Sequence, residues 1–308
     1  MKLRQLQCLC AVVDAGFNIS RAATNLHATQ PAVGKQLRQL EEELGVDLLV
    51  RQTGRAVGLT EAGDRTLTWA RRAMQCAQNI RGLTQESRGQ NGGTIALATS
   101  HAHAKYVLLS PIAAFARQFP RVRINVLQGA PDQVAELVRE GKVTVGVTHL
   151  PGHIPREIVA VPFITSSRVL VAPVGHPVLR LKALTLEALS AYPMIIQHSS
   201  RPQGARIARK FQQAGFEVNV AVQALDADVA KTYVAAGLGL GIIPEFTYSA
   251  RHDRALRARD VGHLFDPAVS AVLLRRESHL ARYVYAFLEH LDPTLEHRRV
   301  EKLVLEGG

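Results

Sequence analysis

Apolar residues Leu3, Leu6, Leu9, Cys10 and Val13 recur at helical spacing, and Gly16 stops the run. A second short helix is predicted through SRAATNLH, capped by Ser20 or Asn18, with Ala22, Ala23 and Leu26 turned inward. After a brief His27-Ala28 turn comes TQPAVGKQLRQLEEELG. Thr29 suits an N-cap, and Pro31 falls in the first turn, where its missing N–H costs nothing. Val33, Leu37, Leu40 and Leu44 then form one apolar stripe, opposite Gln30, Lys35, Gln36, Arg38 and Gln39, and Gly45 closes the helix. VDLLVRQTGRAVGLT alternates enough to make a two-stranded ribbon turning near Thr53-Gly54, with Arg51 and Arg55 on it.

Thr60 caps the next predicted helix, EAGDRTLTWARRAMQCAQNIRGLTQE. Ala62, Thr66, Trp69, Ala73, Cys76, Ile80 and Leu83 are spaced as a heptad seam, and Leu67, Ala70, Met74 and Ala77 make a second stripe. A helix with two apolar sides needs two partners: the preceding helices and a second copy of itself. SRGQNGG, residues 87–93, reads as a polar linker. From Thr94 the pattern becomes alternating strands and helices. TIALAT, RINVLQG and VTVGVTH are strands separated by PIAAFARQF and PDQVAELVREG, a βαβαβ unit. EIVAVPF, RVLVAP, PMIIQ, EVNVAVQ and LGIIP continue with helices TLEALSA, RIARKFQQAG and DADVAKTYVAAG, and SAVLLRR and SHLARYVYAFLEHL close the chain. Two α/β lobes joined by crossing strands enclose a hinged cleft.

Two helices with a tight turn, the second polar and basic outside, describe a helix-turn-helix. Gln, Lys and Arg reach base edges and phosphates, so Gln30, Pro31, Gly34, Lys35 and Arg38 on the second helix, with Arg51 and Arg55 on the wing, are candidate DNA contacts. Gly34 is disfavoured mid-helix by about 1 kcal/mol against Ala; close approach of the backbone to a groove explains it, and tolerated drift is the alternative. Net charge is +11 over 308 residues, yet residues 1–60 carry only +2, so the DNA reading rests on pattern. No apolar run is long enough to span a bilayer, and the polar start MKLRQLQCLC does not suit a signal peptide; the expectation is a cytoplasmic protein. Three cysteines, Cys8, Cys10 and Cys76, fit reduced thiols, with Cys10 buried.

The segment RAATNLHATQPAVGKQLRQLEEELGVDLLVR…GLTEAG resembles the LysR-type transcriptional regulators, and TSHAHAKY, LQGAPDQ, HPVLRLKALTLEALSAYP and DADVAKTYVAAGLGLGII resemble its CysB/Cbl-like subgroup, regulators of sulfur assimilation. The resemblance covers nearly the whole chain. It implies a winged helix-turn-helix at 1–59, a linker and dimerisation helix at 60–88, and a periplasmic-binding-protein-like effector domain at 93–308. Its first lobe would span about 93–163 and 268–308, its second about 164–267. It further implies promoter DNA, a homodimer or homotetramer and RNA polymerase as partners. The implied effector is sulfate, thiosulfate, adenylylsulfate or an acetylserine-like molecule. The family's anion pocket carries over to Ser100, Ala102, His103, Gln128 and Thr148, with Pro202 on the opposite wall. This chain departs from the family pattern, which has threonine where Ala102 stands, glutamine at His103 and threonine near Pro202.

The residues of TSHAHAKY support an anion site independently. The strand ends near Thr99 and Ser100 is a natural N-cap, so a helix N-terminus stands at a strand's C-terminal edge, where exposed N–H groups favour negative charge. His103 would add a donor that charges near pH 6.5, strengthening anion binding as pH falls, with Lys105 a solvated neighbour. His101 and His103 would share a metal only if extended, and no third ligand follows by spacing; a metal-sensing regulator is one alternative reading. An α/β enzyme fused to a DNA-binding module is another, though no catalytic constellation is evident. GLGLG leaves a helix and enters a strand, the wrong order for a nucleotide loop. Asp226 and Asp228 read as a cap and a first-turn dipole partner.

Overall fold

The computed structural model describes residues 1–52, 55–87, 92–197 and 202–306. The ribbon turn at Thr53-Gly54 and residues 88–91 of the expected linker lie outside them. The chain divides into two compact units, Met1–Gln90 with Ser278–Ala281, and Asn91–Glu277 with Arg282–Gly308.

In the first unit, α1 (Leu3–Asp14), α2 (Ile19–Asn25) and α3 (Gln30–Leu44) precede the antiparallel ribbon of β1 (Leu49–Gln52) and β2 (Arg55–Leu59), with Leu49 opposite Leu59. The long helix α4 (Glu61–Ser87) follows. Local chemistry sets the boundaries. Asn18 Oδ1 accepts from Arg21 N at 2.9 Å, so Asn18 rather than Ser20 is the cap; Thr29 Oγ1 accepts from Ala32 N at 3.4 Å; Gly45 takes the left-handed conformation at φ 71°. Thr60 Oγ1 accepts from Gly63 N at 2.9 Å and donates to the Asp47 carbonyl at 2.7 Å. A Cβ at Gly63 would lie 2.0 Å from the Leu48 carbonyl oxygen, so no other residue lets α4 start this close to the wing.

The core of this unit joins Leu6, Cys8, Leu9, Val12, Val33, Leu37, Leu40, Leu48 and Leu49 to Leu67 and Ala70 of α4. Several sequence expectations need correction. Cys8 is the buried cysteine and Cys10 is half-buried, because α1 turns Cys8 and Val12 inward with Leu9. Leu3 is exposed, and so is Leu44 at 40 %; the buried position beyond Leu40 is the carboxylate Glu41. On α4 the Leu67–Ala70–Met74 stripe faces the core, with Ala73 packed beside it, while Trp69 and Ile80 of the heptad seam are 67 % and 63 % exposed. Leu83 is a seam position whose side chain lies outside those described.

The second unit contains two five-stranded sheets. The first has the order β4 (Val122–Gln128), β3 (Gly93–Thr99), β5 (Val145–His149), β12 (Ala268–Arg275), β6 (Ile158–Ser166), with β3 parallel to β4 and β5. The second has the order β11 (Leu256–Asp260), β7 (Arg168–Pro173), β10 (Leu240–Pro244), β8 (Met194–Gln197), β9 (Val220–Ala224), with β8 parallel to β9 and β10. The chain crosses between sheets from β6 into β7 and again from β11 into β12, so the first lobe is discontinuous in sequence and the second is one continuous run. Helices α5 (Leu109–Gln118), α6 (Pro131–Arg139), α7 (Leu186–Ser190), α8 (Pro202–Gln213), α9 (Ala227–Ala235), α10 (Arg282–Leu291) and α11 (His297–Glu306) complete it. The polar strand β11 and the final helix α11 escape a reading by hydrophobic pattern. GLGLG is the turn out of α9, with Gly237 at φ 79°.

Candidate functional site

On the recognition surface, Gln30, Pro31, Lys35 and Arg38 of α3 are all exposed, while Val33, Leu37 and Leu40 on its other side are buried. Neither Lys35 nor Arg38 makes an ion pair among the described residues. Ser20 Oγ donates to Gln30 Oε1 at 3.0 Å, a polar contact across the turn between α2 and α3. Nothing lies within 4 Å of a Cβ built on Gly34, so the fold of this unit does not demand glycine there.

The two wing arginines differ. Arg55 is exposed. Arg51 is committed inward: Nη2 and Nη1 donate to Glu41 at 2.5 and 3.3 Å, and Asp47 lies 3.8 Å away. Glu41 Oε1 also accepts from Leu48 N at 2.9 Å and Leu49 N at 3.2 Å. Burial pushes the Glu41 pKa up, but Arg51 and these two N–H groups outweigh it and the net shift is downward. A buried carboxylate therefore holds the root of the wing to the recognition helix.

In the second unit, Thr99 ends β3, its hydroxyl donating to the Val147 carbonyl at 2.7 Å. Ser100 follows, and the chain then takes a single π-helical turn over His103–Val107, closed by Leu108 N donating to the His103 carbonyl at 2.9 Å. A cavity of about 440 Å³ opens beside this turn, lined by residues of both lobes. Gln128 ends β4, His149 ends β5, Gln197 ends β8 and Pro244 ends β10, and all four line it. The cavity thus lies at the carboxyl ends of parallel strands in both sheets, where α/β proteins bind ligands.

Of the anticipated effector residues, Ser100, Ala102 and Gln128 line the cavity. His103 does not: it is fully buried, with Nδ1 2.7 Å from Ser100 Oγ and Nε2 2.8 Å from Ser270 Oγ. Burial lowers its pKa to about 4, so the expectation that it charges near pH 6.5 and strengthens anion binding is corrected. Ser100 meets the His103 ring instead of capping a backbone N–H. Thr148 is also fully buried, its hydroxyl without a partner among the described residues. Pro202 opens α8, but its side chain lies outside those described.

His101 lines the cavity and places Nε2 3.1 Å from Asp228 Oδ2. The two histidines therefore have separate partners, and among the described residues no three His, Cys, Asp or Glu side chains gather as metal ligands. Lys105 Nζ and Tyr106 OH donate to Asp228 Oδ1 at 2.9 and 2.5 Å. Lys231, nearly buried, donates to Tyr106 OH at 2.8 Å and the Thr247 carbonyl at 2.7 Å, and pairs with Asp253 at 3.0 Å. Asp226 is the α9 cap, its Oδ1 accepting from Asp228 N and Val229 N at 2.9 Å each. Asp228 is the centre of a polar bridge between lobes, a role the sequence reading missed. His149, Gln133, Gln197, Asp226 and Thr247 were missed as lining residues too. The available signal was position: two of the missed residues, His149 and Gln197, are the last residues of their strands.

A helix-turn-helix unit followed by a two-lobed α/β domain with a ligand-sized interlobe cavity defines a DNA-binding transcriptional regulator that responds to a small molecule. Residues 3–64 match the bacterial regulatory helix-turn-helix protein, lysR family, and residues 88–296 match the LysR substrate binding domain. The chain belongs to the LysR family of transcriptional regulators and is not an enzyme. It is 34 % identical over 302 residues to the HTH-type transcriptional regulator CysB of Burkholderia cenocepacia, covering 98 % of this chain and 96 % of that one. It is 34 % identical to the regulator SsuR of the same organism over the full length of both, and 31 % identical to Cbl of Escherichia coli over 100 % and 98 %. The cofactor-binding domain of the Cbl transcriptional regulator superposes with TM-score 0.66 at 32 % identity, covering 71 % of this chain and 96 % of that one. Full-length CbnR complexed with its target DNA superposes with TM-score 0.59 at 25 % identity over 96 % and 100 %. Among the described residues no helix is long and apolar enough to cross a membrane.

Proposed function

We propose that this regulator binds dyad-symmetric promoter DNA as a homodimer or homotetramer, under control of a small anionic effector, and that it regulates sulfur assimilation. The DNA reading rests above all on α3: exposed Lys35 and Arg38 make no ion pair among the described residues, opposite the buried Val33, Leu37 and Leu40. Gln30, Pro31 and Gly34 share that surface, and the open space over Gly34 suits close backbone approach to the groove. Arg55 supplies the wing's phosphate contact. Arg51 acts chiefly through Glu41, with its guanidinium edge left to reach phosphate. The functional segments are the winged helix-turn-helix at 1–59, the dimerising helix at 60–88 and the effector domain at 93–308.

The sulfur role is carried over from the CysB, SsuR and Cbl relatives, as are contact with RNA polymerase and the effector candidates sulfate, thiosulfate, adenylylsulfate and acetylserine-like molecules. Ser100, with the backbone N–H group of Ala102 at the start of the turn, supplies the anion donors, and Gln128, at the end of the neighbouring strand β4, lines the cavity beside them. A cavity of about 440 Å³ leaves room for more than a tetrahedral anion. Titration of genomic binding sites selected by the purified protein tests the DNA reading. Lys35→Ala and Arg38→Ala should each weaken binding and reduce the salt slope by about 1 where a phosphate contact is lost. Unchanged affinity in both variants at every salt concentration removes α3 from the interface.

A further inference from the structure

Asp228 stands in the first turn of α9, in the second lobe, and its contacts reach the first. Its Oδ1 accepts from Tyr106 OH at 2.5 Å and Lys105 Nζ at 2.9 Å, and its Oδ2 from His101 Nε2 at 3.1 Å. All three donors follow β3 of the first lobe. Tyr106 OH in turn accepts from Lys231 Nζ of α9 at 2.8 Å. Each half of this bridge has a firm base. Lys231 is 6 % exposed and held within its own lobe by the Thr247 carbonyl at 2.7 Å and Asp253 at 3.0 Å. Lys105 and Tyr106 belong to the π-helical turn His103–Val107, rooted by buried His103, whose Nε2 lies 2.8 Å from Ser270 Oγ. Both carboxylate oxygens of Asp228 are thus engaged by protein groups, and the bridge needs no ligand to complete it. Burial pushes the Asp228 carboxyl up, but Tyr106, Lys105 and Lys231 outweigh it and the pKa falls to about 2. Phe246 of the second lobe adds ring contacts to His103 at 5.4 Å and His149 at 5.8 Å, both of the first. The lobes are also joined by the two strand crossings, β6 into β7 and β11 into β12, the layout of a hinge.

Resting on the reading of this cavity as the effector site, we infer that the Tyr106–Asp228–Lys231 bridge is a latch that holds the lobes closed by itself, so that the effector meets a preformed cavity. The latch adjoins the cavity on both sides. Ser100, His101 and Ala102 line it just before the π-helical turn, and Asp226 and Ala227 line it just before Asp228. Tyr106, Asp228 and Lys231 do not line it, so they act on the ligand only through the position of the lobes. A chain that is part open binds more weakly by the fraction of molecules that are closed, with every ligand contact intact.

Small-angle X-ray scattering and calorimetric titration of the full-length protein with sulfate test this. The wild type should scatter alike with and without sulfate. Asp228→Ala should be expanded without sulfate and contract when sulfate is added, and its affinity should fall about threefold or more. Its binding heat capacity should also become more negative, because closure then buries the Phe246 contact together with the ligand. Tyr106→Phe, which keeps the ring and removes the hydroxyl, should move each readout the same way. The double variant should be no more open than Asp228→Ala alone, since both break one network. Ser100→Ala should weaken sulfate and leave scattering and heat capacity unchanged. Folded Asp228→Ala that scatters as the wild type overturns the latch, and so does a wild type that contracts on sulfate. Failure of sulfate to bind the wild type overturns the effector reading and the preformed cavity with it, while scattering without sulfate still decides whether the bridge holds the lobes. Where Asp228→Ala does not fold, Tyr106→Phe decides.

Discussion

Glu41 is the buried carboxylate of the DNA-binding unit, 7 % exposed. Its carboxylate accepts from Leu48 N and Leu49 N, both in buried residues, and from Arg51. Glu41→Ala leaves two buried N–H groups without an acceptor, at about 1–3 kcal/mol each. The lost Arg51 pair adds only about 0–1 kcal/mol, because that side chain is 35 % exposed and screened by solvent. The expected destabilisation is about 3–5 kcal/mol. For a unit of this size each kcal/mol shifts the midpoint by roughly 4–8 °C, so the unit should melt about 12–40 °C lower. Glu41→Gln keeps an oxygen for the N–H groups and loses only the charge, so it should cost about 1–2 kcal/mol. Thermal unfolding followed by circular dichroism, with DNA affinity measured on the same samples below the transition, separates the two variants. Because the folded pKa is lowered, the carboxylate's contribution is complete above the unfolded value of about 4.3 and is lost as pH falls through that value toward the folded one. Equal costs for the two variants, both under about 0.5 kcal/mol, would refute the claim that this carboxylate anchors the wing.

Two further outcomes are expected. Ile80→Asp, on the exposed seam of α4, should dissociate the oligomer in light scattering and leave the melting of the DNA-binding unit unchanged; Ala73 is a poorer probe because it packs on that unit's own core. His103 has a folded pKa of about 4 against about 6.5 unfolded, so the unfolded chain binds the proton first: its contribution is complete above about pH 6.5 and falls away down to about pH 4. His103→Gln should flatten the pH dependence of urea unfolding in that window, and an unchanged slope would mean that the ring is not buried neutral.

The helices of the DNA-binding unit were legible because their determinants are local. Caps at Asn18 and Thr29, the proline in the first turn of α3, Gly45, and apolar residues three and four apart act within a few residues of each other. The same holds for the alternating elements of the effector domain and for Ser100 and Ala102, which follow a strand end; Gln128 came from the family resemblance alone. The polar β11 was not legible, because pairing with β7 stabilises it and no hydrophobic run marks it. Neither was the inward turn of Cys8 and Glu41, since the face of a helix that becomes core depends on what packs there. The histidines show the limit most clearly. TSHAHAKY does not tell His101 from His103, and a π-helical turn sends one ring to Asp228 and buries the other between Ser100 and Ser270, the latter 167 residues further along the chain. The amino-acid sequence determined the local elements and the family. Burial decided protonation state and ligand-facing chemistry, because desolvation depends on the strands β5 and β12 and on Phe246, which only the tertiary fold brings around those rings.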